Sequence, residues 1–138
     1  MTPRRTGRTQ ECGRHDARTR LRQARAFLEV AELVVGESDE LATTDVCAAL
    51  AVLSGIAAAD AACCAAVGRR SRGQDHSQAL ALLGEVAPDG KDMARDLRRL
   101  LAVKDDAHYG LLHVSSQRAA AALRQAQRLV DAAATHVE

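Results

Sequence analysis

The chain contains no tryptophan, a single phenylalanine (Phe27), a single tyrosine (Tyr109) and two prolines (Pro3 and Pro88). Sheets draw on aromatic and β-branched side chains, so this scarcity argues for close-packed helices instead. No Walker loop, GxGxxG turn, HExxH helix or nucleophile elbow is present, which removes the commonest nucleotide, metalloprotease and hydrolase signatures. None of the four cysteines (Cys12, Cys47, Cys63, Cys64) is paired at CxxC spacing. Cys63 and Cys64 would point about 100° apart on a helix, a poor arrangement for chelation. Cys12 and His15 make a CxxH pair with no second half to close a metal site. The expectation is therefore four small thiols filling helix contacts, with no zinc and no cofactor. No uncharged apolar run is long enough for a bilayer, since Val46–Val67 carries Asp60 near its middle. The N-terminus has arginines but no apolar h-region. A cytoplasmic protein with no membrane contact is the default expectation.

The 138 residues are 47% hydrophobic and 27% charged, mostly Ala, Leu, Val and Arg, which suits one domain with a real core. The net charge of +1 hides an asymmetry. Residues 1–25 hold eight arginines against Glu11 and Asp16, a local excess of +6; the remainder holds 11 basic and 16 acidic residues, or −5. A basic arm on an acidic body can bind nucleic acid by releasing counterions, or simply stay solvated. Residues 1–15, with Pro3, Gly7 and Gly13, read as a disordered basic arm, and residues 16–138 as a single domain.

Five helical segments follow from periodicity. Leu21, Ala24, Leu28, Ala31 and Val35 step by three and four, giving a first helix from about Asp16 to Val35. Val46, Leu50, Leu53, Ala57, Asp60, Cys64 and Val67 form the seam of a second helix, started by Thr43 or Thr44 and ended by Gly68. A cationic loop, Gly68 to Gln74, precedes a short third helix capped by Asp75 and running to about Val86. Pro88-Asp89-Gly90 turns the chain into a fourth helix with Met93, Leu97, Leu100 and Lys104 on its stripe. Gly110 interrupts it, and a fifth begins near Val114–Ser116. The predicted fold is all-α, an up-and-down antiparallel bundle of four to five helices.

Polar groups on these stripes are the candidate site. Asp60 and Lys104 occupy otherwise apolar seams, and a buried charge must be paired. Lys104, His76 or Tyr109 are the expected partners of Asp60, in a ligand pocket or in a pair that only fixes helix register. Lys104 and His108 lie one helical turn apart, as do Asp105 and Tyr109. A cation and an imidazole on one face suit phosphate chemistry, one neutralising charge and the other moving a proton. Arg69, Arg70 and Arg72, ahead of Asp75 and His76, could hold an anion at a helix N-terminus, or form a solvated loop with Asp75 as cap.

Ser54-Gly55-Ile56-Ala57-Ala58-Ala59-Asp60-Ala61, the Gly68–His76 loop, and Leu100–Gly110 before an Ala-rich last helix together resemble the HEPN family, the higher-eukaryote and prokaryote nucleotide-binding domain. The resemblance covers roughly residues 17–137 and rests on segment order. It implies a homodimeric bundle among toxins, defence ribonucleases and partners of nucleotidyltransferases, with an antitoxin or a nucleotidyltransferase as partner protein and RNA or a nucleotide as ligand. Active members are metal-independent and set an arginine, followed by a polar residue, five to seven residues before a histidine. Here Lys104, His108 and Tyr109 stand nearest that catalytic pattern, with Val103 or Leu101 where the arginine would fall and Lys104 in place of the arginine in a tyrosine variant. Lysine lacks the fork that grips phosphate through two bonds. The expected function is nucleic-acid or nucleotide binding, with a weak or degenerate ribonuclease activity as its catalytic form. The alternative is a non-catalytic helical partner or oligomerisation module, with the Ala-rich faces as interface.

Overall fold

A helix that is apolar all round must be wrapped by others. The second long helix of this chain is such an element: Thr44–Ala66 has a mean hydropathy of 2.0, and 72% of its apolar window is buried by its neighbours. It thus has the length and composition of a membrane span, contrary to the sequence expectation, while the fold uses it as the core helix. The computed structural model describes residues 9–35, 41–72 and 76–138. In these, β1 (Thr9–Glu11) leads into α1 (Arg14–Val35). Then come α2 (Leu41–Ala66), β2 (Arg69–Ser71), α3 (His76–Gly84), α4 (Gly90–Tyr109) and α5 (Ser116–Val137). α2 packs against α1, α5 and α4, and α4 and α5 pack against each other. The protein is an all-α helical bundle with one small two-stranded sheet.

Alanine lets the helices approach closely. Ala51, Ala57, Ala58, Ala61 and Ala62 of α2 are fully buried, as are Ala17, Ala24 and Ala31 of α1 and Ala122, Ala126 and Ala133 of α5. Gly55 takes this furthest, since a Cβ built there would collide with Leu100 Cδ1. Larger side chains fill the gaps: Leu82, Leu83, Leu97, Leu100 and Leu129 are all at most 1% exposed. Ser54, fully buried, donates its hydroxyl to the Ala24 carbonyl at 2.8 Å and ties α2 to α1.

Local chemistry sets the boundaries. The Gly13 amide donates to Asp16 Oδ2 at 3.0 Å, half of a capping box at the start of α1. Gly68, at φ +82°, takes the left-handed conformation that stops α2. Ser115 caps α5 by accepting from the Arg118 amide at 3.1 Å.

Two departures from the sequence expectation occur at the N-terminus. The arm does not reach residue 15: Thr9–Glu11 pairs antiparallel with Arg69–Ser71, with Gln10 opposite Arg70. A three-residue strand carries too little pattern to be read in advance. The cysteines are not all free thiols either. Cys12 and Cys64 form a disulfide across 52 residues of sequence, with Cα atoms 5.2 Å apart. It fastens the end of β1 to the last turn of α2, and the Cys12 amide also donates to the Gly68 carbonyl at 3.0 Å. Cys47 and Cys63 stay free and buried, as expected. The expected cap Asp75 lies outside the described residues.

The α4–α5 connection is held by Asp45 of α2. Its Oδ1 accepts from the Val114 amide at 2.7 Å and its Oδ2 meets His113 Nδ1 at 2.5 Å. Burial pushes the Asp45 carboxyl up, but the Val114 amide and the His113 ring outweigh it and leave its pKa below the ordinary value. A carboxyl lowered in the folded state stabilises the fold above its unfolded pKa and loses that contribution as pH falls through the folded value. Asp45→Asn should therefore lower stability by about 1–2 kcal/mol at pH 7. The deficit should shrink once both chains are brought below about pH 4. Urea midpoints of the two proteins at neutral and acid pH check this.

Candidate functional site

Asp60 is 8% exposed on a helix whose other buried side chains are almost all apolar. It is paired, as expected of a buried charge, but not with the residues expected. Its Oδ2 accepts from Arg20 Nε of α1 at 2.9 Å and from Arg70 Nη1 of β2 at 3.0 Å. Burial pushes the Asp60 carboxyl up, and the two guanidinium charges oppose it. Each arginine is steadied by a glutamine: Arg20 Nη1 donates to Gln23 at 2.5 Å, and Arg70 Nε and Nη2 donate to Gln10 at 3.3 and 3.1 Å. Strand register explains why Arg70 is available: opposite Gln10 on a two-stranded ribbon, it is held over the end of α2.

Lys104 and Tyr109 do not join Asp60. Gly55 of α2 abuts Leu100 of α4, while Val103 packs with Cys47 and Ala48 near the start of α2. The two helices therefore run antiparallel. Asp60 lies five residues from the Gly55–Leu100 contact in one direction along the axis and Lys104 four residues in the other, a separation of about 13 Å at 1.5 Å per residue. Lys104, His108 and Tyr109 do gather with one another. The Lys104 ammonium stands 5.8 Å from the Tyr109 ring centroid, and the His108 ring meets the Tyr109 ring edge-on at 5.7 Å. Tyr109 is 73% exposed, and Arg118 pairs with Asp106 at 2.9 Å beside it.

The cationic loop is thus split from that turn. Arg69 and Arg72 are exposed, Arg70 is committed to Asp60, and His76 opens α3 at the end of the bundle where α2 finishes. The sequence expectation of one groove gathering these arginines with Lys104 and His108 is not met within the chain, because the α2–α4 antiparallel packing puts them at opposite ends.

Two groupings escaped the sequence reading. Asp96, 6% exposed, receives both Nε and Nη2 of Arg128 at 3.1 and 2.8 Å, a two-pronged lock between α4 and α5. Asp96 falls between Met93 and Leu100 at helical spacing, so the signal was there. The second grouping is an arginine row. Arg14, Arg18, Arg22 and Arg25 step by four, four and three along the exposed side of α1. With Leu21, Val137 and Glu138 they line a shallow depression of about 380 Å³. Arg14 Nη1 donates to the Val137 carbonyl at 2.8 Å, and Arg25 pairs with Glu138 at 2.9 Å. Arg25 holds the Glu138 carboxyl below its ordinary value. Four guanidiniums face one exposed carboxylate there, an excess of positive charge that suits a polyanion.

Among the described residues, no three His, Cys, Asp or Glu side chains are placed to hold a metal ion. The chain matches no protein-family model and no curated protein sequence.

Removing the Asp60 charge leaves two half-buried guanidiniums facing each other. Asp60→Ala should cost about 3 kcal/mol, at the lower end of what breaking a buried ion pair costs because both arginines retain some water. Arg20→Gln should cost less, since Arg70 remains to neutralise the carboxylate. Chemical denaturation of the two variants tests the order.

Proposed function

We propose that the protein is a HEPN-like bundle that binds nucleic acid, RNA in the first instance, without cleaving it, and that the arginine row of α1 is the binding surface. The observation that carries this reading is the row itself: Arg14, Arg18, Arg22 and Arg25 on one exposed face, around a concave surface with a single carboxylate. Successive arginines of the row rise by about 6, 6 and 4.5 Å along the helix axis, a spacing that lets several of them meet phosphates of one strand together. The preceding Arg4, Arg5 and Arg8 add charge of the same sign on the same side in sequence. The Lys104–Tyr109 turn supports catalysis less well. It has no arginine of its own to hold a phosphate in two bonds, and its lysine is turned onto the Tyr109 ring.

A second reading, a homodimer or other assembly, is favoured by one specific feature. Leu33, Leu111 and Leu112 are 72%, 101% and 84% exposed, and Val30, Val46 and Leu53 are also open. All but Leu53 belong to the end of the bundle that holds the α4–α5 connection, away from the disulfide. Such a concentration of uncovered apolar side chains marks association surfaces. Light scattering after gel filtration reports the oligomeric state directly, and association can coexist with RNA binding at the other end.

The test is binding of labelled single-stranded RNA as salt is varied. Wild type should bind at low salt and weaken as salt rises. Arg18→Gln with Arg22→Gln should flatten the slope of log K against log salt by about 1.4, at about 0.7 per phosphate contact for a single strand. Lys104→Ala and His108→Ala should bind as wild type does and leave the RNA intact. Cleavage by wild type that disappears in both of those variants would move the activity to the α4 turn and overturn this reading.

A further inference from the structure

We propose that the cavity beside the Cys12–Cys64 disulfide binds a small thiol carrying a carboxylate, and that the bound thiol opens this disulfide by exchange. The cavity measures about 310 Å³, within the range of small-molecule sites, and is lined by Gln10, Asp16, Thr19, Gln23, the Arg20 and Arg70 side chains and both half-cystines. Three features meet there. Both half-cystines line the cavity, Cys64 reaching it from the core and Cys12 from the part-exposed end of β1. Two arginines are fixed beside it by one carboxylate, Asp60, so the inner wall keeps one unbalanced positive charge. Each guanidinium has five N–H donors, and its bonds to Asp60 and the glutamines leave donors over on both. A pair of oriented guanidiniums with donors to spare is built to hold a carboxylate. Asp16 sits at the exposed mouth, where its charge is screened by solvent and its Oδ2 is occupied by the Gly13 amide.

The chemistry balances without any further reagent. The thiolate of the ligand attacks Cys12 Sγ, the more open of the two sulfurs, since Cys64 is 3% exposed. The new S–S bond joins ligand and Cys12, the Cys12–Cys64 bond breaks, and its electron pair leaves on Cys64 as thiolate. That thiolate emerges on the wall that carries Arg20 and Arg70, whose charges favour the anion. Cys63, next in sequence, does not compete as the attacking group. It is buried, and burial together with the charges of Asp60 and Glu85 pushes its thiol up to about 12. The cavity thus requires an external thiol and selects it by its charge.

The experiment uses the full oxidised chain and two probes, 3-mercaptopropionate and 2-mercaptoethanol, with rates expressed per thiolate because the two thiols differ in acidity. Samples are acid-quenched and the mixed disulfide is located by peptide mass mapping. The acid should react saturably, about tenfold faster per thiolate than the neutral thiol, with the adduct on Cys12. Acetate should inhibit the acid's reaction on the unaltered chain, whereas chloride at equal ionic strength should not. Arg20→Gln with Arg70→Gln should erase the preference for the acid and slow the neutral thiol as well, because the charges that favour the departing Cys64 thiolate are gone. A rise in that neutral rate would mark unfolding, in which case the acetate result decides. Equal per-thiolate rates for the two probes, a rate linear in thiol, or indifference to acetate would each overturn the proposal.

Discussion

One carboxylate organises the end of the bundle where the chain begins. From Val46 to its end α2 carries one charged side chain, Asp60, among Ala, Val, Leu, Cys and Ile with Ser54 and Gly55, and that carboxylate is ionised at a cost unless cations reach it. Arg20 reaches it from α1 and Arg70 from β2, so three elements distant in sequence are fixed by one oxygen atom. An apolar, alanine-lined contact between α1 and α2 could slide by a turn with little change in buried area. The Arg20–Asp60 pair and the Ser54–Ala24 hydrogen bond each fail under such a slide, so the polar bonds select the register that the packing alone does not. Arg128 on Asp96 performs the same task between α4 and α5.

The position of Asp60 also explains why the small sheet exists. A three-residue ribbon buries too little to hold itself together. β1 and β2 are held by what surrounds them: Arg70 is anchored to Asp60, Gln10 to Arg70, and Cys12 to Cys64 one turn beyond Asp60. The cavity is a consequence of this arrangement. β1 crosses the end of the α1–α2 pair, and the space left beneath it is walled by the same side chains that hold it there.

The helices were legible in the sequence because their stripes are long and their stops are explicit: Gly68, the Pro88–Gly90 turn, Gly110 and the Ser115 cap all fall where the chain breaks. The burial of Asp60 was legible for the same reason, a charge on an apolar seam. Its partners were not. Periodicity says which face a residue occupies on its own helix and nothing about which other element covers that face. Lys104 also interrupts an apolar stripe, so the two charges looked like a pair, but antiparallel packing about the Gly55–Leu100 contact draws them to opposite ends. Arg20 and Arg70 looked like members of a basic arm and a basic loop, where arginines need no explanation. The Cys12–Cys64 bond joins positions with no spacing rule, and β1 is too short to show one.

The arginines of this chain separate into two kinds once their partners are known, and the difference bears on function more than their number does. Arg20, Arg70 and Arg128 are answered by buried carboxylates and serve the fold. Arg14, Arg18, Arg22 and Arg25 lie in the open and share one exposed acid, Glu138. Repulsion among such neighbours destabilises the helix that carries them by a few tenths of a kcal/mol per pair. Arg14 and Arg25 tie α1 to the end of α5, but no contact of the fold accounts for Arg18 between them, and a glutamine there would serve α1 as well. An exposed row of like charges of this kind is the feature on which the proposed binding of a polyanion rests. The same reasoning gives no such weight to Lys104, whose charge rests on the Tyr109 ring.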